Sequence, residues 1–120
     1  MLSKRIIARL DIKGSRLIKG IRFEGLRVLG ESLDSANCYY KSNVDEIIYL
    51  DSVASLYGRN NLSMLLKKAS ESVFVPITAG GGVRNLDDAK ELLSAGADKI
   101  AINTACIKRP NLITELAEAL

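Results

Sequence analysis

At 120 residues the chain has the length of a single domain, residues 1–120, long enough to bury a core yet small for an α/β protein. Apolar residues make up 48% and charged residues 26%, a balance that excludes a long disordered tail. The formal charge is only +3, lysines and arginines are scattered, and six aromatics are all there are, so a nucleic-acid surface has no support. No apolar run approaches the length of a membrane span, and Met1-Leu2-Ser3-Lys4-Arg5 leads into a strand rather than a signal peptide, so the expected compartment is the cytoplasm. Cys38 and Cys106 are far apart and the chain has no histidine, which excludes zinc sites and histidine-based nucleophile systems; both thiols are expected to be free and buried.

In chain order, residues 6–11 read as a first strand, ending Leu10-Asp11, followed by an inserted hairpin over residues 16–22. Helical periodicity covers residues 32–43, and a second strand, 46–51, ends Leu50-Asp51. A second helix is expected over 60–72 and a third strand over 75–79. Asn85 is placed to cap a third helix, 85–95, with Asp87 and Asp88 in its positive first turn and Gly96 as its C-terminal stop. A fourth strand spans 99–103, and Pro110 opens a fourth helix, 111–120, with Leu112, Ile113, Leu116, Ala119 and Leu120 as its apolar side. Strands alternating with helices at this spacing predict parallel pairing with right-handed crossovers, a (βα)4 arrangement.

Pro76-Ile77-Thr78-Ala79-Gly80-Gly81-Gly82-Val83-Arg84-Asn85 carries the sharpest chemical signal. A short apolar strand running into three glycines and a helix start brings backbone N–H groups close to a phosphate, because no Cβ intervenes. The strand ending Ile102-Asn103-Thr104-Ala105 finishes in small polar residues beside it, so one anion site is expected between the two turns. The same glycines also fit a tight turn with no ligand. Asp11 and Asp51 close their strands at the same end, where barrel enzymes keep their chemistry, although each aspartate also suits a simple loop cap. Alternation places Arg5, Ile7, Arg9 and Asp11 on one face of the first strand. If that face points inward, Arg5, Glu46 and Lys99 form a charged layer at the opposite end; the alternative is a solvated rim.

Lys4-Arg5-Ile6-Ile7-Ala8, Leu10-Asp11-Ile12-Lys13, Ile18-Lys19-Gly20, Asp45-Glu46-Ile47, Gly80-Gly81-Gly82-Val83-Arg84, Gly96-Ala97-Asp98-Lys99 and Ile102-Asn103-Thr104-Ala105 together resemble the N-terminal half of the cyclase subunit of imidazole glycerol phosphate synthase, a (βα)8 barrel of histidine biosynthesis. The resemblance spans the whole chain but only half of that barrel. It implies a cyclase or lyase reaction, without a cofactor, that joins ammonia from a glutaminase partner to a bisphosphorylated ribonucleotide derivative. On the same ground Asp11 matches one of two acid–base aspartates and Lys19 a lysine of the first βα loop. Gly81, Gly82, Asn103 and Thr104 match one of two phosphate sites, with Asp51 and Thr78 lining the pocket nearby. Arg5, Glu46 and Lys99 match three members of the gate that admits ammonia, and Asp98 a glutaminase contact.

A (βα)4 half-barrel leaves two strand edges and the inner face open, so the expected repair is a homodimer, or a higher homo-oligomer, that restores eight strands and two copies of Asp11. Three departures from the family's pattern stand out. Arg9 replaces a small inward residue, and in two copies Arg5, Arg9, Lys99 and Glu46 would leave about +4 inside. Gly14-Ser15 and Glu31-Ser32 lack the acidic-glycine and aspartate-proline pairs common there, and Tyr57-Gly58-Arg59-Asn60 is similar to cyclase relatives of surface-polysaccharide pathways. The competing reading is a non-catalytic phosphate-binding half-barrel module, and a third is a piece of a longer gene.

Overall fold

Residues alternate between two environments along the longer parallel strands, and this alternation organises the molecule. The computed structural model describes residues 3–14, 16–21, 25–51 and 62–120, with 19–21 and 25–28 through their backbone alone. The elements are β1 (Ile7–Lys13), β2 (Arg16–Ile21), β3 (Gly25–Glu31), α1 (Ser32–Lys41), β4 (Glu46–Asp51), α2 (Leu62–Ser70), β5 (Ile77–Gly80), α3 (Leu86–Ala95), β6 (Lys99–Ala101), α4 (Thr104–Lys108) and α5 (Asn111–Ala119). They build one sheet in the order β3-β2-β1-β4-β5-β6. β1, β4, β5 and β6 pair in parallel, as expected of successive βα units, while β2 and β3 form an antiparallel hairpin on the β1 side.

Leu10 and Ile12 of β1, Ile47 and Tyr49 of β4, and Ile77 and Ala79 of β5 are buried against Ala36, Leu62, Leu66, Ala69, Ala89, Leu92, Leu112 and Leu116 of the helices. Among the described residues that single layer of helix on sheet is the core. The residues between them point to the other face and stack in rows set by the register. Ile7 lies beside Glu46. Arg9, Ile48, Thr78 and Lys99 form the next row, and Asp11, Leu50, Gly80 and Ala101 the third. A closed eight-stranded barrel fills its interior with such rows. Here half of each row is present and the face is open, which is half of a TIM barrel.

Two aspartates lock the strand starts in the same way. The Ile6 N–H donates to Asp45 Oδ2 at 2.6 Å while the Asp45 N–H donates to the Ile6 carbonyl at 2.9 Å. The Ile77 N–H donates to Asp98 Oδ2 at 2.8 Å and the Asp98 N–H to the Ile77 carbonyl at 2.8 Å. Each pair satisfies backbone groups that lie outside the ladder. At α3 the Asn85 side chain accepts from the Asp88 N–H and the Asp88 carboxylate accepts from the Arg84 N–H, a reciprocal N-terminal cap. Gly96, at φ +124°, ends the helix as expected.

Several boundaries differ from expectation. β1 runs on to Lys13 because Ile12 and Lys13 pair with Leu17 and Arg16. The insertion expected over residues 16–22 is a full hairpin reaching Glu31, with a bulge between Leu17 and Ile18. α4 is an extra helix of five residues, too short to show a period. The start of the second expected helix and the Tyr57-Gly58-Arg59-Asn60 stretch lie outside the described residues. Cys38 is exposed rather than buried, since it falls on the flank of α1 opposite Ala36, and Cys106 is half-buried; both are free.

Candidate functional site

β4, β5 and β6 approach one another closely at their C-terminal ends, and glycine makes that approach possible. A Cβ on Gly80 would lie 2.7 Å from the Ala101 carbonyl oxygen and 2.9 Å from Leu50 Cδ2, while one on Gly81 would run into the Asp51 backbone. Gly81 and Gly82 have φ +97° and +72°, a region that L side chains adopt at a cost. Gly80 and Gly81 are therefore explained by packing alone. Gly82 is explained by its backbone angle, and the turn carries its N–H groups past the end of the sheet.

Above this turn lies a cavity of about 630 Å³. Asp11, Asp51, Gly81, Gly82, Asn103 and Thr104 all line it, so six of the residues singled out in the sequence meet at one place. Four cations not singled out as site residues join them: Arg9, Arg84, Lys108 and Arg109. Arg84 is 3.5 Å from Asp88 and Arg109 is 3.1 Å from Glu115, so each is partly neutralised by a carboxylate of its own surroundings. Lys108 makes no ion pair among the described residues. Four cations against Asp11 and Asp51 give the cavity a positive balance suited to an anion.

Asp11 does not stand alone. Arg9 Nε donates to Asp11 Oδ1 at 3.1 Å, and Arg9 Nη2 lies 3.1 Å from the same oxygen. Residues two apart on a strand share a face, so the pairing follows from the regularity of β1. The open-face excess is then smaller than Arg5, Arg9, Lys99 and Glu46 alone suggest: counting Asp11, each chain carries one surplus positive charge rather than two.

At the other end of the strands Arg5 Nη1 is 2.7 Å and Lys99 Nζ 3.4 Å from the same oxygen, Oε1 of Glu46. Glu46 is only 7% exposed, while the two cations are largely solvated. A buried carboxylate shared by two basic groups is thus paired, which offsets its desolvation. The layer expected from alternation forms, but at an open rim. Thr78 lies in the middle row between Ile48 and Lys99, outside the cavity lining. Lys19 falls in β2 opposite Arg27, and its side chain is outside the described part. Asp98 is engaged with the Ile77 backbone.

The model of the histidine biosynthesis protein family matches residues 5–120. The chain belongs to that family. Within it, similarity extends over the whole chain to the imidazole glycerol phosphate synthase subunit HisF of several organisms. The Legionella pneumophila subunit is 59% identical over 117 residues, 98% of this chain and 55% of that protein. Those of Thermococcus gammatolerans and Pyrococcus furiosus are 45% and 44% identical over all 120 residues, which is 48% of each. The chain spans about half the length of the curated relatives it matches. HisF is a TIM barrel, and half of its length corresponds to the half-barrel seen here. No helix among the described residues is long and apolar enough to cross a membrane.

Proposed function

We propose that this member of the histidine biosynthesis family is a cyclase-type half-barrel that binds a phosphorylated, ribonucleotide-type substrate and works as a homo-oligomer. The observation that carries the reading is the convergence of Asp11, Asp51, the Gly81-Gly82 turn and Asn103-Thr104 on one cavity at the C-terminal end of the parallel strands. In this reading the phosphate rests on the backbone of the glycine turn and of Asn103-Thr104. Asp11 takes a proton as a carboxylate or returns it as an acid. A reaction that needs an acid and a base on opposite sides of one substrate needs two such groups, and a second copy supplies the other Asp11. Ammonia-dependent activity is then feeble next to that of a complete barrel. The Arg5–Glu46–Lys99 cluster marks the end at which ammonia enters, and a glutaminase subunit is the partner that would deliver it there.

The test is an Asp11→Asn mixing series. Wild-type and Asp11→Asn chains, allowed to exchange, are combined in varying ratio and product is followed from the bisphosphorylated substrate with an ammonium salt. Activity that falls with the square of the wild-type fraction is expected; a linear fall means that each chain works alone.

One observation favours a second reading, a non-catalytic phosphate-binding module. The Arg9 guanidinium occupies one oxygen of Asp11, which costs that group freedom as an acid–base catalyst. Under that reading phosphate binds and no turnover occurs at any ratio.

A further inference from the structure

Arg9 stands on the open face of the half-barrel, and its chemistry is only partly used. Its side chain is 63% exposed, and Nε and Nη2 both face Asp11 Oδ1. A guanidinium carries five N–H donors in a fixed plane, so the edge turned away from Asp11 remains available. The tether matters as much as the charge. Arginine otherwise loses considerable side-chain freedom when it grips a ligand, and here the Asp11 contact has already restricted it.

Arg9 and the glycine turn line the same cavity but stand apart. The turn follows β5, and β4 lies between β5 and β1. Two strand spacings separate them by about 10 Å. With its guanidinium held at Asp11, Arg9 stays on the β1 side, and a sugar-sized ligand with an anionic group at each end can reach both it and a phosphate on Gly81-Gly82. The remaining polar groups of the cavity agree: Arg84, Lys108 and Arg109 lie toward the β5 and β6 loops, which leaves Arg9 as the cation on the β1 side among the described residues that line it.

We propose that Arg9 is a specificity-determining residue: its guanidinium, held by Asp11, receives the second anionic group of a ligand whose phosphate rests on the glycine turn. The ligand class is a sugar-sized molecule with two terminal anions, and selection is against its monoanionic counterpart. The proposal rests on the phosphate reading of the glycine turn. It sets two adjacent residues in opposition, because Asp11 orients Arg9 and at the same time offsets its charge.

Isothermal titration of the 120-residue chain with inorganic phosphate, ribose 5-phosphate and ribulose 1,5-bisphosphate tests it. The wild type is expected to bind the bisphosphate at least about tenfold more tightly than the monophosphate, the scale of one charge-assisted contact. Arg9→Met is expected to erase that preference while leaving inorganic phosphate unaffected, and Asp11→Asn, whose amide oxygen still accepts from Arg9 but no longer offsets its charge, to strengthen it. Arg9→Lys, which keeps the charge but not the fork, is expected to retain part of it, and circular dichroism checks that each variant folds. Equal affinity for the two sugars in the wild type, or a preference that survives Arg9→Met, overturns the role of Arg9 and leaves the glycine turn as the phosphate site. Failure of all three probes to bind the wild type overturns both.

Discussion

Tyr49 is the residue at which burial acts most plainly on chemistry. It is 1% exposed, its hydroxyl is 3.4 Å from the Ser32 carbonyl oxygen, and burial pushes its pKa up to about 12. The unfolded chain releases this proton near the ordinary value of about 10, so folding keeps a proton that the unfolded state loses. The associated stability is complete below pH 10 and is lost as pH rises from 10 toward 12, by at most about 3 kcal/mol. Urea unfolding at pH 8 and pH 11 should show a smaller alkaline loss for Tyr49→Phe than for wild type. Beside it, Ser32 is fully buried. At this scale Asp11, Asp51 and the glycine turn were legible in the sequence because a strand end and a glycine run announce themselves. The Arg9–Asp11 pair was legible only in part: alternation placed both on one face, but not the rotamer that joins them. Lys108 and Arg109 escaped because the five residues of α4 carry no period.

Elements at the two ends of the parallel run are incompletely covered. Among the described residues β6 has β5 on one side only, and β1 meets β2 only at Ile12 and Lys13. A groove lined by Leu93, Ile100, Ile102, Cys106, Ile113, Leu116 and Leu120 runs along the β6 edge, with Ile113 58% and Leu120 54% exposed. At the β1 edge Ile6 is 70% exposed and Ile7 42%. Apolar strips beside open ladders favour association. Ile113→Glu should therefore lower the association constant by at least about tenfold, read by sedimentation, with little effect on the fold of the single chain because the side chain is already solvated. The helices and parallel strands were legible from apolar spacing, since each of their buried faces has its partner within this chain. The apolar side of α5 was legible as well, yet only Leu112 and Leu116 of it are buried, because no described element covers the rest. β3 was missed for a different reason: Gly25-Leu26-Arg27-Val28-Leu29-Gly30 is bounded by glycines and lacks clean alternation, and its pairing with β2 holds it extended.

For the whole molecule, the decisive feature is a sheet whose helix-covered face is a finished core and whose other face is half of a barrel interior. The rows Arg9-Ile48-Thr78-Lys99 and Asp11-Leu50-Gly80-Ala101 end at an open edge. In the proposed homo-oligomer, a second copy related by a two-fold axis would complete both rows, join the β6 edge of each chain to the β1 edge of the other, and bring two Asp11 and two glycine turns to one end. With one surplus positive charge per chain on this face, that closure would carry a modest electrostatic cost, which bound anions would relieve. Phosphate should accordingly strengthen association, in line with linkage between binding and assembly. The most direct measurement is the mass in solution by light scattering at micromolar concentration, with and without phosphate. A mass of twice 13.0 kDa, or of paired dimers, that persists on dilution and is reinforced by phosphate is the expected result; a stable 13.0 kDa monomer under both conditions would contradict the account.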